Sequence, residues 1–233
     1  MTFSLLIRDE ASGTLAGAAA TGSLCVGGWV LRGRLGAGMS ASQGAAPSTF
    51  WGDSALDLMA TGAGAGTALQ AVTEPDPNRD WRQLALLDPR GGTAAHSGSA
   101  NSPVCTHRTG PGRVASGNLL AGEATLERLM ATYETAPGTI AARLIAALAA
   151  AQAEGGDRRG LKSAALLVLH PDAPPLTLRV DLAEDPVSSL ASLHAAASGG
   201  DYARWTRAVP VASDPYRADA AIIRADGDDP GTD

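Results

Sequence analysis

A chain of 233 residues can build one sizeable hydrophobic core or two small ones. Its net charge is −6, with acidic residues spread throughout and no basic patch, which argues against a nucleic-acid partner. The first residues lack the basic segment and apolar run of a secretion signal, and no stretch reaches the ~20 apolar residues that cross a bilayer. The expectation is a cytoplasmic protein with no membrane partner.

Thr2 to Arg8 (TFSLLIR) alternates, with Thr2, Ser4 and Leu6 on one side and Phe3, Leu5 and Ile7 on the other, the period of a strand. Asp9 to Gly13 reads as a turn and Thr14 to Gly22 as the hairpin partner, rich in small side chains. Leu35 to Gln43 is a third strand. Its alternate Gly36, Gly38, Ser40 and Ser42 leave one face nearly bare, which suits close approach of a second sheet, the favoured reading, or of a ligand. Helices follow at Trp51–Thr61 and Gly66–Val72, ended by Pro75 and Pro77.

A second hairpin pairs Trp81–Asp88 with Thr93–Ser97, and Val114–Ser116 reads as a short strand. Leu126, Leu129, Met130 and Tyr133 then form one apolar stripe on a helix spanning Gly122–Thr135. Ile140, Leu144, Ala147, Leu148 and Ala151 stripe the next helix, which ends at Gly155-Gly156. Ser163–Leu169 reads as a buried strand, Leu176–Leu182 as its inward-facing partner, and Val187–Ala197 as a last helix. Strands, helices and strands in that order predict an α+β domain over residues 1–197. Residues 198–233 read as a loosely attached extension with a disordered acidic tail after Arg224.

Chemistry is sparse in the motifs. Cys25 and Cys105 are far apart and read as small buried hydrophobes. His96, His107, His170 and His194 lack metal-ligand spacing, and neither a phosphate-binding loop nor a nucleophile elbow is present, so no metal or cofactor is expected.

Thr2 stands out. Removal of the initiator methionine would place its hydroxyl beside its own α-amine, whose reference pKa of ~7.7–8.0 leaves a useful neutral fraction at physiological pH. Nucleophile and general base would then share one residue.

The segments TFSLLIRD, GRLGAGMSASQG, ASGNLLAG and GGDRRGLKSAALLV resemble the bacterial family called domain of unknown function 1028, over Thr2 to about Leu193. That family is assigned to the N-terminal-nucleophile (Ntn) hydrolase superfamily. The resemblance implies a four-layer αββα sandwich of two antiparallel sheets flanked by helices, and an amide-hydrolase ancestry. It implies Thr2 as nucleophile and Arg34 as a fixed positive charge beside the ionised hydroxyl. It further implies Asn118 or the Gly36-Ala37-Gly38 backbone as oxyanion donors, and Asp157 and Ser163 as groups orienting the amine. Arg158, Arg159 and Gly36 are candidate substrate contacts.

Each residue has a structural alternative. Asn118 could cap a helix or hold a left-handed turn, and Asp157 with Arg158 or Arg159 could be an ion pair fixing a loop. Ser163 could be an ordinary strand residue, Arg34 could bind a substrate carboxylate, and Asp9 could pair with Arg34 or merely close its hairpin.

Two functions remain open at this point. One is hydrolysis of a small non-peptide C–N bond, in an amide, ureido or lactam compound, through an acyl-enzyme on Thr2. The alternative is a non-catalytic small-molecule-binding protein on the same scaffold; a chambered peptidase ranks below both. Nine Phe, Trp and Tyr residues favour a small polar substrate, and a homodimer is the expected assembly.

Overall fold

The computed structural model describes residues 2–101, 104–155 and 160–227. Asp157, Arg158 and Arg159 therefore lie outside the described residues. Alternating side chains put β1 (Thr2–Arg8) and β2 (Leu15–Thr21) in an antiparallel hairpin. Asp9 closes its turn by accepting from the Ser12 amide (2.8 Å) and hydroxyl (2.6 Å), which settles its role there and not at Arg34. These same bonds hold the Asp9 carboxyl below its usual pKa.

A one-turn helix, α1 (Val26–Trp29), leads into β3 (Leu31–Arg34) and β4 (Gly38–Gly44). Next come α2 (Thr49–Ala60), α3 (Ala65–Thr73), β5 (Arg82–Leu87) and β6 (Thr93–Ser97). β7 (Thr106–Gly110) and β8 (Arg113–Asn118) precede α4 (Ala124–Thr135) and α5 (Ile140–Ala153). The chain closes with β9 (Ser163–His170), β10 (Ala173–Val180), α6 (Pro186–Ala197), α7 (Gly200–Trp205) and α8 (Ala220–Gly227). α1, β3 and β7 have no counterpart among the predicted elements. They are short, and none carries a full period of apolar residues.

The first sheet runs β10-β9-β2-β1-β8-β7 and the second β3-β4-β5-β6, with antiparallel pairing throughout. The architecture is thus α+β with two antiparallel sheets. Three apolar clusters hold it together. Phe3, Leu5 and Ile7 on one face of β1 pack with Leu126, Leu144 and Leu148 of α4 and α5. Leu6 and Val114 on the opposite face of the first sheet meet Met39, Ala85 and Leu87 of the second. The outer face of the second sheet, with Leu84 and Leu86, is covered by Trp51, Leu56 and Met59 of α2. Each fully buried side chain of this size contributes about 1.5–3 kcal/mol.

Small side chains set the approach distances. Ala16, Ala18 and Ala20 of β2 share a cluster with Ala147 and Ala151 of α5, so strand and helix pack closely. The bare face of β4 also works by closeness, but its partner is a helix and not the second sheet expected for it. The Ser42 hydroxyl donates to the Ser48 carbonyl at 2.6 Å, and a Cβ on Gly52 of α2 would lie 2.8 Å from Ser40 Oγ. Met39 and Ala41, on the opposite face, meet the first sheet.

Beyond α6 the chain is better attached than its composition predicts. Ala208 and Val211 are buried, and the Ser213 amide donates to the Pro171 carbonyl at 3.0 Å. α8 continues to Gly227, past the Arg224 boundary. Leu182 corrects the inward-facing reading of its strand: β10 ends at Val180, and Leu182 is exposed. Among the described residues, no helix is long and apolar enough to cross a membrane.

Candidate active site

Thr2 begins β1, a strand interior to its sheet, in register with Thr21 on one side and Asn118 on the other. It is half-buried at the edge of a cleft of 380 Å³. The cleft lies between Thr21–Val30 and the Gln43–Pro47 segment that leaves β4. Thr2 Oγ1 lies 3.0 Å from Thr21 Oγ1, and either hydroxyl can donate.

Behind Thr2, a buried polar network links the sheets. The Gln43 amide donates to the Thr2 carbonyl (3.4 Å) and to Gln83 Oε1 (2.7 Å). Asn118 Nδ2 donates to the same Gln83 oxygen at 3.1 Å. Gln83 in turn donates to Ser97 Oγ (2.8 Å), the Thr106 carbonyl (2.9 Å) and the Gly117 carbonyl (3.0 Å). Ser4 donates to Gln43 Oε1 at 2.9 Å, which leaves Ser116 to donate to Ser4 at 3.0 Å. Buried amides tolerate so little freedom only when their donors and acceptors are matched, so each fixes its neighbour's orientation.

The network ends at a second pair. Ser97 Oγ, which accepts from Gln83, also lies 3.0 Å from His107 Nδ1, and the tautomer of the ring decides which of the two donates. Burial, then the nearby Arg108 and His96, lower the His107 pKa and keep the ring neutral. Burial raises the neighbouring Cys105 thiol. Cys25 and Cys105 are both free and only half-buried, short of the full burial expected for them.

The opposite wall of the cleft is Ser23–Trp29. Ser163 holds it from below: its hydroxyl accepts from the Val26 amide (3.1 Å) and donates to the Ser23 carbonyl (2.8 Å). The Cys25 amide adds a bond to the Asp181 carbonyl at 3.1 Å. Arg32 bonds the carbonyls of Trp29 (2.8 Å) and Gly28 (3.3 Å). Gly27 allows the approach, since a Cβ there would lie 2.7 Å from Arg179 Cγ and 2.8 Å from Ala165 Cβ.

Strain collects here too. Among the described residues, Cys25 (φ 60°) and Leu119 (φ 55°) are the two non-glycine residues with positive φ. Cys25 opens the cleft wall, and Leu119 directly follows Asn118. Each such conformation costs on the order of 1–3 kcal/mol and persists only where its surroundings enforce it.

The structure sorts the sequence-predicted residues sharply. Thr2 and Asn118 are brought side by side. Ser163 is not at the amine: it pairs with Thr21, two strands from Thr2, roughly 10 Å at ~4.8 Å per strand. Its bonds make it an anchor of the cleft wall. Arg34 is a clear correction. It pairs with Gly38, five residues before Gln43 on β4, so roughly 17 Å separates it from the Thr2 end. Neighbouring Gly33 packs against Leu169, at the far end of the first sheet, and Arg34 is exposed in an ion pair with Asp57 (2.9 Å).

Gly36 shares that misplacement, in the tight β3–β4 turn at φ 79° with open space around it. Neither the guanidinium nor the Gly36-Ala37-Gly38 amides can reach a substrate on Thr2. Asn118 caps no helix; it belongs to the Gln83 network, and the left-handed residue is Leu119.

Thr21, Ser23, Trp29, Gln43 and Gln83 were not singled out by sequence. A signal existed for the glutamines: Gln43 and Gln83 occupy the inward parity of Met39-Ala41 and Ala85-Leu87. A polar residue in an apolar alternation invites a search for its partner. None of the described lining residues is charged. Among the described residues, no group of three or more His, Cys, Asp or Glu could hold a metal ion.

The model for a family of unknown function, DUF1028, matches residues 2–190 of this chain. The crystal structure of a DUF1028 protein from Silicibacter pomeroyi is similar over 93% of this chain and 95% of that one, with 50% identity and a TM-score of 0.89. No curated protein matches the chain.

Proposed function

The chain belongs to the DUF1028 family, and on that premise we propose that it is an Ntn-type amidohydrolase acting on a small non-peptide C–N bond. The helix–sheet–sheet–helix layering supports a four-layer αββα sandwich of the Ntn-hydrolase kind. The observation that carries the reading is the position of Thr2. The first residue of an interior strand presents its hydroxyl to a cleft, with a buried asparagine amide in register beside it.

With Met1 removed, the Thr2 hydroxyl attacks the substrate carbonyl carbon and passes its proton to its own α-amine. Thr21 Oγ1, 3.0 Å away, donates to the Thr2 oxygen and thereby frees the Thr2 proton for that transfer. One Asn118 N–H is spent on Gln83, and the other is available to the oxyanion. Collapse breaks the C–N bond as the α-ammonium protonates the departing nitrogen. The same amine then takes a proton from water, which attacks the Thr2 ester, releases the carboxylic acid and restores the hydroxyl.

Intact mass and variant kinetics test this together. The expected result is loss of Met1, acylation of Thr2 by an activated amide, and a Thr2→Ala rate lower by at least ~10³-fold. Thr2→Ser retains part of the rate. Equal turnover by wild type and Thr2→Ala would sink the scheme. Retained Met1 in a native-like host would favour the small-molecule-binding alternative.

A further inference from the structure

The lining of the Thr2 cleft combines two chemistries. Thr21, Ser23 and Gln43 contribute hydroxyl and amide groups, and Leu24, Val26, Trp29, Val30 and Pro47 contribute apolar side chains. Leu24 and Trp29, on one short segment, are 51% and 52% exposed. That segment is no floppy loop, since Ser163, Asp181 and Arg32 all bond its backbone. A rigid apolar wall is thus held open to solvent beside a nucleophile, under backbone strain at Cys25.

Resting on the amidohydrolase reading, we propose that the cleft selects substrates by an uncharged, apolar acyl group. The scissile carbonyl sits at the Thr2 hydroxyl, and the acyl chain lies along Leu24, Trp29, Val30 and Pro47. Apolar burial rewards such a chain. A charged acyl group would be desolvated there with no counter-charge among the described lining residues. At 380 Å³ the cleft is near the small end of ligand sites, which suits an acyl group of about six carbons or one aromatic ring. This departs from the small polar substrate that the low aromatic content favours, because Leu24, Val26, Trp29 and Val30 line this cleft. Trp29 is the specificity-determining residue.

The test is 4-nitroaniline release from the acetyl, butyryl, hexanoyl, phenylacetyl and succinyl 4-nitroanilides. kcat/KM should rise at least ~10-fold from acetyl to hexanoyl, with succinyl at least ~10-fold below butyryl. Trp29→Ala should lower the hexanoyl-to-acetyl ratio at least ~5-fold, mainly through KM. A flat series, a preference for succinyl, or an unchanged ratio in Trp29→Ala overturns the apolar assignment while leaving Thr2 chemistry intact. Calorimetry with hexanamide and succinamate, using Thr2→Ala protein, reads the cleft without turnover. Tighter hexanamide binding, weakened by adding Trp29→Ala, supports the apolar cleft even if no anilide is cleaved, in which case the hydrolase reading fails alone. Tighter succinamate binding overturns the acyl preference independently of any catalysis.

Discussion

The two ends of the paired sheets make an instructive contrast. At one end, Thr2 meets Thr21, Asn118, Gln43 and a cleft, with two strained residues and a buried amide network around it. At the other, the β3–β4 turn carries Arg34 and Gly36 into solvent, with a single exposed ion pair to Asp57. Both ends were candidates by residue type. What separates them is the direction of β4, which carries the chain from Arg34's partner Gly38 to Gln43 beside Thr2. Buried, mutually oriented polar groups mark the cleft end; the other end carries an exposed arginine in a turn.

Substitutions at the two ends should therefore differ widely. Beyond Thr2→Ala, whose effect is on rate, Gln83→Leu is expected to do the most damage. It removes an oxygen shared by Gln43 and Asn118 and leaves both amides buried with a lost acceptor. Urea unfolding should show a loss of about 3 kcal/mol or more, and a change under 1 kcal/mol would refute the hub role.

Gly27→Ala should cost less, about 1–3 kcal/mol, because its Cβ must displace Arg179 or Ala165. It should also weaken cleft ligands by shifting α1, which calorimetry can detect. No loss of either kind would show that α1 is not held by that contact.

His107 sharpens the contrast through pH. Its folded pKa lies below the ordinary imidazole value of about 6.5, so between the two values the unfolded chain binds the proton and the folded chain does not. This contribution to stability is full above pH 6.5 and falls as acid is added toward the folded pKa. Urea midpoints taken across that window should decline less in His107→Asn than in wild type. Parallel declines would remove His107 from the account.

Arg34→Ala should do least. Both partners of its ion pair are largely exposed, so a stability change below about 1 kcal/mol is expected, with unchanged acylation of Thr2. Loss of acylation in that variant would erase the distinction between the two ends.

Much of the secondary structure was legible, and for specific reasons. The alternation of Phe3, Leu5 and Ile7 and the stripes of α4 and α5 bury one face each, and burial imposes the period. β7 was hidden because Thr106, His107 and Arg108 form a partly exposed edge with no apolar repeat. α1 was hidden because a single turn opened by left-handed Cys25 has no pattern to show. Of the site, Thr2 and Asn118 were accessible from residue type and family resemblance, whereas Ser163's hydroxyl turned out to brace the cleft wall.

From its sequence alone this chain determined its longer, periodically buried strands and helices, since the periodicity of burial is a local property. It also determined that a threonine opens the first strand. Only the tertiary structure decided what surrounds that threonine. Register and strand direction brought Thr21, Gln43 and Asn118 to it from positions 19 to 116 residues away and carried Arg34 to the opposite end. Spacing along a chain does not encode spacing across a sheet; pairing of strands does.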